Sequence, residues 1–376
     1  MIRLIILILL LLVSLLAVFR APAYHLWLLS IAVTEFPVVF ASATIIVLAS
    51  GFWLSKYQLP GTVVGLLTAI LFLSPIFRSY LISRHLKSDL AQAFRPESLK
   101  NDIEPFSWGK FFKFSFKDTV SAKSLNFVTY ADGTALTLDF YPSQLSGKRP
   151  CIIVVHGGSW AGGDSKQLPD LNSYLAQKGY NVASINYRLA PKYKTPAPVE
   201  DIKAAMAYFR AHANELQIDS TKFVLLGRSA GAQIALLAAY TLHDKDIKGA
   251  IEFYGPVDMV WGYSIPSNPL IMDSRKVMND YVGGTYAEVP QKYHDSSPLF
   301  FVDKNSPPTL MIHGINDPLV TYIHSIKLSV KLLENHIPHY WLKLPWATHG
   351  FDYNLYGPGG QLSTFAVEQF LNRVTK

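Results

Sequence analysis

The sequence predicts an α/β fold, a mostly parallel eight-stranded sheet flanked by helices, preceded by about three transmembrane helices. Three observations predict it. Half of the 376 residues are apolar and only 16% are charged, and the mean hydropathy is +0.19, with the apolar excess gathered before residue 87; a disordered chain is excluded. Beyond about residue 116, short β-rich runs alternate with amphipathic helical stretches, the pattern of a sheet covered by helices. The runs Cys151-Ile152-Ile153-Val154-Val155 and Phe223-Val224-Leu225-Leu226 are apolar at every position, as strands buried on both faces must be.

Up to Leu86 the only acidic residue is Glu35, and Arg3, Arg20, Lys56, Arg78 and Arg84 punctuate three apolar blocks, 4–19, 25–54 and 60–77. A span needs about 20 mainly apolar residues. The second block is long enough, and the other two sit near the lower limit, where Arg3, Arg20 and Arg78 can snorkel from the ends. Residues 1–86 therefore read as a transmembrane region of three spans. The first block has a rival reading as a cleaved signal peptide, since Ala21-Pro22-Ala23 mimics a small-residue cleavage site; the bulky Arg20 and the apolar block that starts directly afterwards argue for retention. Glu35, in Thr34-Glu35-Phe36-Pro37, is a functional-site candidate because a carboxylate is costly in hydrocarbon. The expected role is a packing contact, a protonated Glu35 donating to a carbonyl freed by Pro37 or to a neighbouring helix.

Loop charge sets the orientation. Arg3 and Lys56 fall on one side, and Arg20, Arg78, Arg84, Lys87 and Arg95 on the other, which predicts a multi-pass membrane protein with its carboxy-terminal domain in the cytoplasm. Residues 87–115 read as a basic juxtamembrane linker: between Arg78 and Lys123 there are nine Lys and Arg against five Asp and Glu, within a chain of net charge +7. Because this excess directly follows the last apolar block, membrane lipids explain it and no nucleic-acid partner is needed. A single cysteine, Cys151, excludes an intrachain disulfide and any Cys-rich metal site.

Residues 116–376 form the α/β domain. Strands are expected at 124–130, 135–141, 151–155, 181–187, 222–226, 249–254, 308–313 and 339–344, and helices at 167–177, 198–213, 230–242, 322–334 and 361–374. Between one such strand and helix stands Gly227-Arg228-Ser229-Ala230-Gly231. A turn this tight needs small residues two before and two after the serine, and it presents the hydroxyl at the amino end of the following helix. Ser229 could merely cap that helix, but the strand before it points to a nucleophile. His156-Gly157-Gly158-Ser159-Trp160 follows another strand directly. Acyl transfer builds negative charge on the carbonyl oxygen, and the N–H groups of Gly157, Gly158 and Ala230 would receive it as an oxyanion hole. The nucleophile needs a base, and the base an orienting carboxylate. Gly314-Ile315-Asn316-Asp317-Pro318 and Ala347-Thr348-His349-Gly350-Phe351 place Asp317 and His349 at strand carboxyl ends, where α/β sites lie. Ser229, Asp317 and His349 are the catalytic candidates; no metal is required.

From about Val128 to Lys376, two thirds of the chain, these motifs (HGGSW, NYRLAP, GRSAG, HGINDP, THGF) resemble those of α/β-hydrolase esterases of the hormone-sensitive-lipase-like and BD-FAE-like group. The resemblance implies the α/β-hydrolase fold, the triad and oxyanion residues just named, and no cofactor. It implies a membrane-anchored serine ester hydrolase acting on short to medium acyl or acetyl esters, small-molecule or lipid-like, through an acyl-serine. A serine peptidase or an amidase or formamidase would use the same triad. A non-catalytic ligand-binding homologue is disfavoured by retention of all three residues, and a transport role for the spans by their single acid. Two positions depart from the family pattern: Arg228 where many relatives have an acid, and Ala232 where a third glycine is common. Arg228 is expected to pair with Glu200 or Asp201 rather than attract an anionic substrate, and Asp201 reads as structural. The segment 257–299, with Trp261, Tyr263, Met272, Met278 and Tyr281, reads either as a cap-like, acyl-binding lid or as a connection packed on the core. Trp160 and Trp261 are the substrate-binding candidates.

Overall fold

The computed structural model describes residues 1–53, 57–94, 104–113 and 119–376; Lys56, Arg95 and residues 95–103 and 114–115 of the expected linker lie outside the described residues. All eight expected strands form: β1 (Lys123–Thr129), β2 (Ala135–Tyr141), β3 (Arg149–Val155), β4 (Asn181–Ile185), β5 (Ile218–Arg228), β6 (Ile247–Phe253), β7 (Thr309–Gly314) and β8 (His339–Leu344). They make one sheet in the order β1-β2-β4-β3-β5-β6-β7-β8. β2 runs antiparallel to β1 and β4, and the remaining neighbours pair in parallel.

Four helices precede the sheet: α1 (Ile2–Ser14), α2 (Tyr24–Glu35), α3 (Pro37–Ala49) and α4 (Gln58–Phe94). α5 (Pro169–Gln177), α6 (Ala197–Ala211), α7 (Ala230–Thr241), α11 (Ile323–Glu334) and α12 (Pro358–Val374) flank the sheet, while α8 (Met259–Ser264), α9 (Ser274–Val282) and α10 (Pro290–Asp295) fill the insertion between β6 and β7. The alternation of strand side chains divides the core into two. On one face Ile153 and Val155 pack with Ile202 and Phe209 of α6 and Ile234 of α7. On the other, Ile152 and Val154 pack with Leu175 of α5, Phe365 and Phe370 of α12, and Leu86, Leu90 and Phe94 of α4. β3 is thus buried on both sides, as its unbroken apolar run demands.

The amino-terminal region departs from three spans. Among the described residues one helix, α4, is long and apolar enough to cross a membrane; α2 and the stretch Pro37–Phe52 would count as a second only as one broken span, because they meet at 88°. The cause is Pro37. Its ring cannot continue a helix, so α2 stops at Glu35 and α3 starts with the proline at its first position. α1 has 13 residues, short of the roughly 20 a crossing needs. α4 overruns the expected boundary at residue 86 and continues to Phe94, so the linker expected at 87–115 begins inside a helix that also completes the core. Arg3 does not snorkel outward. It is 7% exposed and donates to the carbonyls of Val47 and Leu48 at 3.4 and 3.2 Å, at the carboxyl end of α3 where free carbonyls collect.

Glu35 makes the opposite of the expected contact. Its Oε2 accepts from the N–H groups of Gly359 and Gly360 at 3.0 and 3.4 Å, so it satisfies donors in the first turn of α12. A Cβ on Gly357 would lie 2.2 Å from the same oxygen, which is why glycines line this approach.

Candidate active site

β5 delivers Ser229 at φ +53° and ψ −121°, a backbone conformation that L-residues rarely adopt and that is held only where the surroundings enforce it. The serine N–H bonds the Phe253 carbonyl of β6 at 2.9 Å, and its side chain caps nothing. The glycines on either side are dictated by space. A Cβ on Gly227 would stand 2.2 Å from the Gly231 carbonyl oxygen, and one on Gly231 would stand 2.3 Å from those of Val155 and His156. β3 delivers the glycine loop beside the serine, for a Cβ on Gly157 would meet Ser229 Cβ at 3.3 Å.

One of the three expected oxyanion donors is already engaged: the Gly157 N–H donates to Gln167 Oε1 at 2.8 Å. Gly158, at φ +126°, and Ala230, first residue of α7, remain as candidates. Gln167 has no neighbour in the sequence to announce it.

Asp317 and His349 meet. His349 Nδ1 lies 2.6 Å from Asp317 Oδ2, and a second histidine, His313, brings Nε2 to 3.4 Å from that same oxygen. The other carboxylate oxygen, Oδ1, accepts from the N–H groups of Leu319 and Val320 at 2.8 and 2.9 Å. Burial by itself would raise the carboxyl pKa, but the charge of His349 and the hydrogen bonds of both histidines hold it well below the usual range.

His313 is held on both ring nitrogens. Nδ1 lies 2.8 Å from Ser325 Oγ, which in turn lies 3.1 Å from Glu252 Oε1. Nε2 faces the Val320 carbonyl at 2.9 Å, which can only accept, so Nε2 carries a proton. The ring lies between Asp317 and Glu252, whose own carboxyl pKa burial raises. Burial disfavours a charge on His313, but the hydrogen bond and charge of Asp317 and the charge of Glu252 raise its pKa above the ordinary histidine value. The sequence left two signals of this arrangement unread: a histidine four residues before Asp317, and an acid inside the apolar run Ala250-Ile251-Glu252-Phe253.

Arg228 does not pair with Glu200 or Asp201. Its Nε lies 2.5 Å from Asp352 Oδ2, and the other oxygen of that carboxylate, Oδ1, accepts from the Tyr254 hydroxyl. Glu200 and Asp201 instead bind Arg188 at 2.9 and 2.8 Å. At 1% exposure Arg228 is beyond reach of a substrate. The Tyr254 ring also lies against that of His349, with centroids 4.3 Å apart and planes tilted by 53°.

A cavity of about 510 Å³ opens beside Asp317, with Trp160 and Trp261 in its wall. Trp160 Nε1 donates to Gln233 Oε1 at 2.9 Å, and its ring stacks on Tyr281 at 4.6 Å. Trp261 stands edge-on to His324 at 5.0 Å. The latter accepts from the N–H groups of Val257 and Asp258 through Nδ1, and burial pushes its pKa down to about 3; it is neutral, with its proton on Nε2. Within 257–299, Tyr281 and Tyr293 are buried in the core, Trp261, Ile271 and Met272 line the cavity, and Met278 does both. Among the described residues no group of three or more His, Cys, Asp or Glu could hold a metal ion.

The amino-terminal region takes part in this site. Trp27 Nε1 of α2 donates to the His349 carbonyl at 2.9 Å, and Arg20, Ala21 and Pro22, from the connection between α1 and α2, line the cavity.

A strained serine after a parallel strand, a histidine–aspartate pair at the same sheet edge and an eight-stranded mixed sheet are the architecture of the α/β-hydrolase fold. The BD-FAE family profile matches residues 138–332, and the chain belongs to that family. It is 30% identical over 245 residues to the probable carboxylic ester hydrolase LipM of Mycobacterium tuberculosis, covering 61% of this chain and 56% of that protein. Over 265 residues it is 30% identical to Esterase LipC of the same organism, covering 66% and 64%. The chain thus spans only a little over half to about two thirds of these relatives' lengths. Among solved structures, a bacterial heroin esterase superposes with a TM-score of 0.59 at 21% identity, over 81% of this chain and 92% of its own. An esterase of Pyrobaculum calidifontis does so with 0.58 at 20% identity, over 80% and 99%. The two solved structures show the fold.

Proposed function

We propose that the protein is a membrane-anchored serine hydrolase that cleaves short to medium acyl or acetyl esters through an acyl-serine intermediate. The observation that carries this reading is the 2.6 Å contact of His349 with Asp317 at the sheet edge where the strained turn holds Ser229. In the reaction His349 takes the Ser229 proton as the hydroxyl attacks the ester carbonyl, and Gly158 and Ala230 N–H groups receive the developing oxyanion. His349 then returns the proton to the departing alcohol, and water, deprotonated by the same ring, releases the acid. Asp317 fixes the tautomer of His349 and is itself tempered by His313. The test is hydrolysis of an ester series of graded acyl length by the detergent-solubilised protein, alongside an amide panel and fluorophosphonate labelling. Ser229→Ala is expected to lose on the order of 10⁶ in kcat and all labelling; turnover by a clean, folded variant overturns the assignment.

Anchoring rests on α4. From Leu59 to Phe77 it exposes Val63, Leu66, Ile70 and Leu73 over about 27 Å at 1.5 Å per residue, close to the hydrocarbon thickness. Exposed aromatics bracket this band, Phe52 and Trp53 before it and Tyr80 and Trp108 after it, as at membrane interfaces. α1 and α3 pack alongside. Arg20, Arg78, Arg84 and Lys87 outnumber Arg3 and Lys56, which favours a cytoplasmic hydrolase. Carbonate washing should leave the protein in the membrane pellet, and protease added to intact cells should spare the catalytic domain; release or digestion, respectively, would refute each statement.

A further inference from the structure

Resting on the hydrolase and anchoring just proposed, we infer that the cavity beside Asp317, whose wall holds neither Ser229 nor His349, is the substrate's way in and opens at the lipid surface, so that the substrate is an acyl ester of a bilayer-resident amphiphile that reaches Ser229 from the membrane side. The lip of the cavity is built by the membrane-associated region itself. Arg20, Ala21 and Pro22 form part of its wall, and they are clamped to the opposite lip: Asn268 Nδ2 donates to the Pro22 carbonyl at 2.9 Å, and the Tyr24 N–H to the Leu270 carbonyl at 3.0 Å. A third tie joins Asn316 Nδ2 to the Val18 carbonyl at 3.0 Å.

The level of this lip follows from helix geometry. α3 packs against α4, and α2 meets α3 at 88°, so with α4 crossing the bilayer α2 lies along its surface. α2 turns Trp27 to His349 and exposes Tyr24, Leu26 and Leu28. The apolar exposure continues onto the rim: Phe19 is 62% exposed on one lip, Leu270 69% and Ile265 53% on the other. Arg20, in the cavity wall on the same lip as Phe19, stands where anionic headgroups would meet it. An ester with a short acyl group at Ser229 can therefore leave its alkyl alcohol in the lipid and never cross water.

The experiment compares two acetates that form the same acetyl-enzyme: hexadecyl acetate carried in phosphatidylcholine vesicles that hold the full-length protein, and 4-nitrophenyl acetate in solution. Phe19→Glu and Leu270→Glu charge the rim without touching the cavity wall. Each is expected to lower kcat/KM for hexadecyl acetate about tenfold or more, roughly the factor that withdrawing one large apolar side chain from lipid is worth, while 4-nitrophenyl acetate turnover stays within about twofold. Equal loss on both substrates, or no loss on either, overturns the inference. A wild-type protein that cleaves the soluble acetate and ignores the vesicle-borne one also overturns it and leaves the hydrolase reading intact. Failure on both acetates together with absent fluorophosphonate labelling would instead strike the hydrolase reading.

Discussion

Replacing His313 with glutamine removes a buried imidazole of raised pKa beside Asp317, the proposed triad carboxylate, while keeping side-chain groups that can bond Ser325 and the Val320 carbonyl. Because His313 Nε2 and His349 Nδ1 share Asp317 Oδ2, at 3.4 and 2.6 Å, the His313 ring stands within about 6 Å of the base. Two unit charges at that separation repel by about 3 kcal/mol at an effective dielectric constant of 20, equivalent to about two pH units. His313→Gln removes this repulsion from the Asp317–His349 pair, so it should shift the acidic limb of the pH–activity profile upward, by about one to two units once screening is allowed for. The assay is kcat/KM for 4-nitrophenyl acetate from acid to mildly alkaline pH, with circular dichroism confirming the fold. A purely structural histidine would lower the plateau and leave the limb in place. An unmoved limb, or one displaced toward lower pH, would refute the electrostatic reasoning.

The same residue makes a stability prediction. Its folded pKa is raised, so its contribution is complete below the unfolded value of about 6.5 and is lost as pH rises through the folded value; the Tm of the wild type should fall on the alkaline side relative to His313→Gln, measured by thermal denaturation in detergent. Gly231→Ala drives a methyl into backbone oxygens 2.3 Å away and should cost about 3 kcal/mol or more, visible as a lowered Tm and lost labelling. Chelators should leave ester hydrolysis unchanged, and a strict need for added divalent metal would displace the serine mechanism. A truncation beginning at residue 87 strips Leu86, Trp27 and Glu35 from their contacts; each large apolar side chain is worth about 2 kcal/mol against a total stability of about 5–15, so the fragment should be aggregated or inactive, and a soluble, active one would show the amino-terminal packing to be dispensable.

What was legible in the sequence was what depends on local pattern. The run Cys151–Val155 announces a doubly buried strand, and the spacing of Gly227, Ser229 and Gly231 announces a turn that only small residues can make. Asp317 and His349 could be placed because each follows a strand directly. Contacts that join distant stretches were not legible. Arg228 finds Asp352, 124 positions away, where proximity in sequence suggested Asp201; Gln167 takes the Gly157 N–H by a loop closure no periodicity encodes. Apolar composition alone also overstated the spans. It registers hydrophobicity but not the break at Pro37, and it cannot distinguish the half of α4 that faces outward from the half that lies under the sheet.

α4 also dictates an order of assembly. Leu86, Leu90 and Phe94 close the lower half of the hydrolase interior, yet they sit on the same unbroken helix whose earlier residues are offered to lipid. As the chain leaves the ribosome this helix emerges before any strand, so the enzyme's interior has no wall on that side until the helix is in place. On the anchoring proposed above, the sheet would then condense onto a surface already held at the membrane.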